Sequence, residues 1–295
     1  GNATDARSIT GAGFRPQYAV VRGEGSRETV HKPASTGSTT DTTMGFDNDA
    51  NSSNLIQALE SDGFQVGTNT SVNANAIAYH WIAFNFPAVQ PSNVATLRDA
   101  VAAAFGMSRS DAATVADLAA LSIPRSDTGS VRDVFAAALT HLVTATPAIP
   151  ATQMATGSYS GNGADNRSIT GVGFQPDVVI IKGDTSQNAV MRTSTMTGDA
   201  AKPLAGGTAL TSNLIQTLDS DGFTIGTDAR VNSSSVTYYW TAFKVGAGEM
   251  KVGSYTGNGT SQSVTGQDFA PKYVIVMSAI GAEADVLSQA VELAW

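Results

Sequence analysis

The stretch that decides the fold is GNGADNRSITGVGFQPDVVIIKG (161–183), closed by LIQTLDSDGFTIGTDARVNSSSVTYYWTAFK (214–244). The same text stands earlier in the chain as GNATDARSITGAGFRPQYAVVRG (1–23) and LIQALESDGFQVGTNTSVNANAIAYHWIAFNF (55–86). Its opening recurs a third time as GSYTGNGTSQSVTGQDFAPKYVIVM (253–277). The chain is one module used more than once, so the module has to be read first.

Each copy contains a short continuous apolar run, Tyr18–Val21 or Val178–Ile181. Pro16 or Pro176 precedes it, and Arg22-Gly23 or Lys182-Gly183 closes it. Such runs, bounded by Pro and Gly, read as buried strands. Ser61-Asp62-Gly63-Phe64 and Ser220-Asp221-Gly222-Phe223 place Asp-Gly between apolar residues. That is a hairpin signal, because both turn positions tolerate positive φ. Each full copy ends in an alternating strand, with Ile77, Tyr79, Trp81 and Ala83 on one face and Val236, Tyr238, Trp240 and Ala242 on its equivalent. The expectation is that Trp81 and Trp240 anchor two equivalent cores. The middles, Glu24–Asn51 and Asp184–Leu210, share little pattern and read as edge strands, turns and variable loops.

The third copy reaches the strand expected at Tyr273–Met277 but lacks the Ser-Asp-Gly-Phe half and the Tyr-x-Trp strand. Copy one has the complementary defect: it lacks the Gly-Ser-Tyr that copy two carries at Gly157-Ser158-Tyr159. A half-module leaves an open sheet edge. Either the chain is a piece of a longer array, or a neighbouring subunit supplies the missing strands. The chain also opens at Gly1 without an initiator Met, which reads as a processed or partial chain.

Residues 91–148 are alanine-rich and helical in period. Ser92 or Asn93 can cap a first helix carrying Leu97, Val101 and Phe105, ending at Gly106. Ser108 with Asp111 and Ser130 with Asp133 have capping-box spacing for two more, and Pro124, Pro147 and Pro150 are breaks. The expected organisation is a β-sandwich repeat over 1–86, a helical insert with a Pro-rich linker over 87–154, a second repeat over 155–245 and a partial third over 250–295. The fold class is mainly β: tandem antiparallel, jelly-roll-like β-sandwich repeats with a small helical insert, which reads either as a spacer or as an oligomerisation element.

Composition narrows the function classes. The 295 residues are 42% apolar and only 14% charged, with net charge −8. Nucleic-acid binding needs a basic face, and an anionic membrane surface disfavours an acidic chain. The absence of cysteine excludes disulfides and thiolate metal sites. No window approaches 18 consecutive apolar residues, so no membrane-spanning helix is expected.

His31, His80 and His141 fall in separate elements: a variable loop, the terminal strand and the third helix. They lack ligand spacing. Gly11-x-Gly13 and Gly171-x-Gly173 lack the third glycine and following helix of a nucleotide loop, and read as turns. Asp47-Asn48-Asp49-Ala50-Asn51 offers alternate oxygens like the start of a calcium loop, but without the central Gly or the terminal Glu. Glu60 with Asp62, and Asp219 with Asp221, pair carboxylates as a glycosidase would, yet they belong to or flank the Asp-Gly turn. The expectation is no catalytic, cofactor-binding or metal site, and no enzyme.

The pattern GSYTGNG…SITGxGFxPDxVxIK…SDGFxxGTxxxVNxxxxxYxWxAFK resembles a repeat of bacteriophage tail, tail-fibre and other virion structural proteins. Copy two carries nearly all of it, while copy one departs at Gln17 and Asn85. The resemblance implies a β-sandwich or jelly-roll module in an assembled external structure and carries over no catalytic residues. The expected function is a structural, self-assembling protein of a virion (tail, fibre or decoration) or of an extracellular filament. Its expected partners are copies of itself or other structural subunits. The alternative is a carbohydrate- or receptor-binding module of a phage tail fibre, contacting host surface glycan. That module would show exposed aromatics in its loops, where of Phe, Tyr and Trp only Phe46 is found.

Overall fold

The computed structural model describes residues 1–47, 49–86, 152–204 and 207–280. The chain divides into two compact units, one of Gly1–Phe86 with Ala151–Trp295 and the other of Pro87–Pro150. The second unit lies outside the described residues, and with it the three expected helices and His141.

The described residues are mainly β, in four antiparallel sheets. The first half runs β1 (Arg7–Thr10), β2 (Tyr18–Gly23), β3 (Thr29–Pro33), a 3-10 turn (Ala34–Thr36), β4 (Met44–Gly45), β5 (Ile56–Glu60), β6 (Gly63–Val66), the one-turn helix α1 (Thr70–Asn73) and β7 (Tyr79–Phe84). The second runs β8 (Gln153–Ser160), β9 (Arg167–Thr170), β10 (Val178–Gly183), β11 (Val190–Thr193), β12 (Lys202–Pro203), β13 (Ile215–Asp219), β14 (Gly222–Ile225), α2 (Ala229–Asn232) and β15 (Thr237–Lys244). Sheet orders are β1-β6-β5 with β4-β3-β2-β7 in the first half, and β9-β14-β13 with β12-β11-β10-β15-β8 in the second. Registers correspond: Ile9 faces Phe64 as Ile169 faces Phe223, and Val21 faces Trp81 as Ile181 faces Trp240.

The continuous apolar runs are explained by two cores sharing one strand. Val179 and Ile181 of β10 point into the second half's core with Phe223, Ile225 and Trp240. Val178 and Ile180 point the other way, into a seam with Tyr18, Val20, Met154, Met191 and Phe243. In β2, Ala19 and Val21 join the first half's core with Ile56, Phe64 and Val66, while Tyr18 and Val20 join the seam. Every residue of a strand covered on both faces must be apolar or satisfied, so the polar alternation disappears. The two halves thus pack through the outer faces of their larger sheets. Tyr18, Phe84 and Phe243 meet there edge-on or tilted, with centroids 5.7–6.0 Å apart.

Three expectations need correction. The middles do hold the edge strands β4 and β12, but they are not otherwise solvated: β3 and β11 lie inside their sheets, β3 buried throughout and β11 with only its last residue half-buried. They differ between copies because they face different neighbours; Ala189 N–H, for instance, donates to the Phe46 carbonyl across the seam. The turn of the β5–β6 hairpin is Ser61-Asp62, not Asp-Gly, and Gly63 already lies in β6 at φ 126°. A Cβ there would collide with the Ile9 carbonyl. Finally, no strand forms over the described residues 250–280. Ile275 and Met277 still pack on the seam, but the run 273–277 has no laddered neighbour among the described residues.

Candidate functional site

The residues repeated in both copies turn out to be mostly load paths within the module. Asp62 takes the N–H groups of Gly11 (3.1 Å) and Gly13 (2.6 Å), and Asp221 takes those of Gly171 (3.1 Å) and Gly173 (2.6 Å). The Gly-x-Gly turn and the Ser-Asp-Gly-Phe turn are therefore one device, a carboxylate clasping two backbone donors. Asp219 accepts from Thr217 and Thr224, and Glu60 from Gln65. The paired-carboxylate arrangement of a glycosidase is not assembled, because these oxygens are engaged apart. A shallow open depression beside Asp62, lined by Ser8, Thr10, Arg15 and Glu60, holds no further converging acid.

Asn73 and Asn232 are fully buried and were not singled out from the sequence. Asn232 donates to the Ala164 (2.7 Å) and Gly226 (3.0 Å) carbonyls and accepts from Asn162 N–H (2.9 Å). Asn73 makes the equivalent bonds to Thr4, Gly67 and Asn2. Identity between the copies at a polar position following Val was the available signal.

His31 is not on a loop. It lies on β3, 1% exposed, stacked on Phe46 at 4.3 Å and bonded through Nδ1 to the Tyr18 hydroxyl at 3.0 Å. Burial, with the nearby Lys182 charge adding to it, holds its pKa down to about 3. His80 points outward beside Glu24, 3.7 Å away.

The calcium-like stretch is re-sorted by the fold. Asp47 and Asp49 lie with Glu28, from the β2–β3 connection, their oxygens within 4.8 Å of one another; Asn48 lies outside the described residues. Burial first, then the bond to Asp47 and the neighbouring charges, pushes Glu28 up to about 8. The buried Lys182 donates to the carbonyls of Asp49 (2.6 Å), Thr185 (2.8 Å) and Gly183 (3.2 Å). Burial lowers its pKa to about 8 against the pull of those acids. The chain thus supplies its own cation to this acidic corner, which ties the first half to β10 of the second.

The two tryptophans part company. Both meet a phenylalanine edge-on, Trp81 on Phe64 at 5.6 Å and Trp240 on Phe223 at 5.8 Å. Yet Trp240 is 6% exposed and Trp81 40%. The cause is β8, which pairs with β15 along its whole length and sets Gly157 opposite Trp240. A Cβ at 157 would strike the indole, so only glycine lets the backbone lie on that ring. Tyr159 then stacks on Tyr238 at 5.3 Å, donates its hydroxyl to the Val231 carbonyl at 2.7 Å and lies under Arg167. In the first half β7 pairs only with β2 among the described residues. Its outer edge, with Tyr79, His80 and Trp81, is the candidate site: an unpaired ladder beside a half-bare indole. The expectation of equivalent tryptophan surroundings is overturned.

A family model described as a domain of unknown function (DUF7483) matches residues 149–251. The matched segment runs from before β8 to beyond β15, so β8 lies within the family's unit. No curated protein and no solved structure gives a significant match. No helix of the described residues is long and apolar enough to cross a membrane.

Proposed function

We propose that this chain is a structural, self-assembling protein of a virion (tail, fibre or decoration) or of an extracellular filament, and not an enzyme. In this reading its halves are tandem jelly-roll-like sandwich repeats, followed by a partial third. The observation that carries it is the heterologous seam: the first half presents β3, Phe46 and Asp49 to β10 and β11 of the second, a contact that can be repeated from copy to copy. The half-exposed indole of Trp81 adds an apolar surface open to a partner. The resemblance of the motifs to those of phage tail proteins points the same way. The glycan-binding alternative calls for exposed loop aromatics, but Phe46 is 5% exposed and belongs to the seam.

The test is electron microscopy with sedimentation analysis of the purified chain across a concentration series. Ordered fibres or particles are expected. A monodisperse monomer at all concentrations would overturn the proposal.

A further inference from the structure

We infer that the chain's three modules stand around one pseudo-threefold axis, each presenting one face of its Pro-bounded apolar run to the other two. The partner of that face is the next copy of the same module. The inference rests on the seam that carries the structural reading and gives that contact a closed geometry.

The third copy keeps the module's backbone. Gly266 and Asp268 have φ of 91° and 65°, as Gly171 and Gly173 have 86° and 87°, and Gly11 and Gly13 have 94° and 78°. Asp is one of the few side chains that visits this left-handed region. Val20, Ile180 and Ile275 stand at the same place in the three runs, each following its Pro16, Pro176 or Pro271 at the same spacing. All three side chains belong to one apolar cluster, the seam.

The step from the first module to the second is repeated from the second to the third. In each full copy a bridge, Thr43 with Ser52 or Ala201 with Thr211, brackets the segment that begins with β4 or β12. The first copy's segment meets the second copy: Lys182, near the end of β10, donates to the Asp49 carbonyl at 2.6 Å, and Ala189 N–H to that of Phe46 at 3.1 Å. The second copy's segment meets the third: Lys202 donates to the Ser278 carbonyl at 2.9 Å, and Leu210 N–H to that of Ala279 at 3.1 Å. Ser278 and Ala279 stand where Gly183 and Asp184 stand in the second copy. The same part of one module thus meets the same end of the next module's run, twice in the same sense.

The third module also returns to the first. Ile275 and Met277 pack on the cluster that holds Tyr18 and Val20. Burial raises the pKa of Tyr18 and of Tyr273; the neighbouring Tyr273 adds to the rise at Tyr18, and Arg22 opposes it at Tyr273. In a straight row the second module would stand between these groups. A head-to-tail contact whose rotation brings the third unit back to the first closes instead of propagating. Contacts between chains then fall to surfaces outside the ring.

The chain has no cysteine, so labels can be placed at will. Thr10, Thr170 and Thr265 stand at the same place in the three modules, each directly before the first glycine of its turn, and all are exposed. Thr10→Cys, Thr170→Cys and Thr265→Cys are introduced two at a time into the full chain and spin-labelled. Diluted into unlabelled chain, they are read by double electron–electron resonance. The ring predicts three distances that agree within the widths of their distributions. A 10–265 distance approaching the sum of the other two, or one too broad to define, would overturn the inference. Ile275→Asp should broaden both distributions that involve 265 and leave 10–170 unchanged; no broadening would overturn it, since the third module would then be held elsewhere. Unequal distances in a chain that forms fibres or particles would overturn the ring alone. Equal distances in a chain that stays monomeric at all concentrations would overturn the structural reading and leave the ring standing.

Discussion

Truncating each tryptophan in turn separates register from burial. Trp81 and Trp240 sit opposite equivalent residues, Val21 and Ile181, and touch equivalent phenylalanines. If local contacts decided stability, Trp81→Ala and Trp240→Ala would cost the same. The exposures differ by about a third of the residue, 6% against 40%. That is roughly 85 Å² for a side chain that buries up to about 250 Å². At about 25 cal/mol per Å² this is worth roughly 2 kcal/mol. Trp240→Ala is expected to cost about 3–5 kcal/mol, as buried aromatics do, and Trp81→Ala about 1–3 kcal/mol. The assay is urea unfolding followed by far-UV circular dichroism at low protein concentration, where self-association is least. Costs equal within about 0.5 kcal/mol, or a larger cost at Trp81, would refute the argument that β8 is what makes the second tryptophan a core residue.

Two further outcomes are expected. An unfolded His31 takes up a proton below about pH 6.5, while the buried one resists until about 3. Its contribution is therefore complete above pH 6.5 and is lost as pH falls towards 3, by up to about 5 kcal/mol. His31→Phe should flatten the urea midpoint between pH 6.5 and 4, even if it lowers stability at pH 7 through the lost Tyr18 bond; an unchanged slope would show that His31 is not the group titrating. Asp221→Ala should cost about 1–2 kcal/mol for two released backbone donors, and Asp221→Asn, which keeps one acceptor oxygen, less. Thermal melts that leave Asp221→Ala neutral would show that the clasp does not hold the turn.

How much of the fold was legible can be judged from particular residues. Strands β2, β7, β10 and β15 are written in local pattern, because apolar runs and a period of two are consequences of burial on two faces or one. The hairpin at Ser-Asp-Gly-Phe was legible in place but not in mechanism. That Asp62 and Asp221 clasp Gly-x-Gly loops about 50 residues away is a long-range bond with no local signature. The different exposures of Trp81 and Trp240 are not legible locally, since an identical motif implies an identical environment and the covering strand β8 pairs from about 80 residues away.

By itself the sequence determined that this protein is mainly β, repeats its motifs and lacks disulfides. Those properties follow from composition, period and internal identity, all of which are local. Only the tertiary structure decided which face of each strand met which core, that His31 and Lys182 were buried in the joint between the halves, and that one tryptophan was covered and its twin left bare. Burial belongs to pairs of segments distant in the chain, so the same residues in the same order acquire different surroundings when one neighbouring strand is absent.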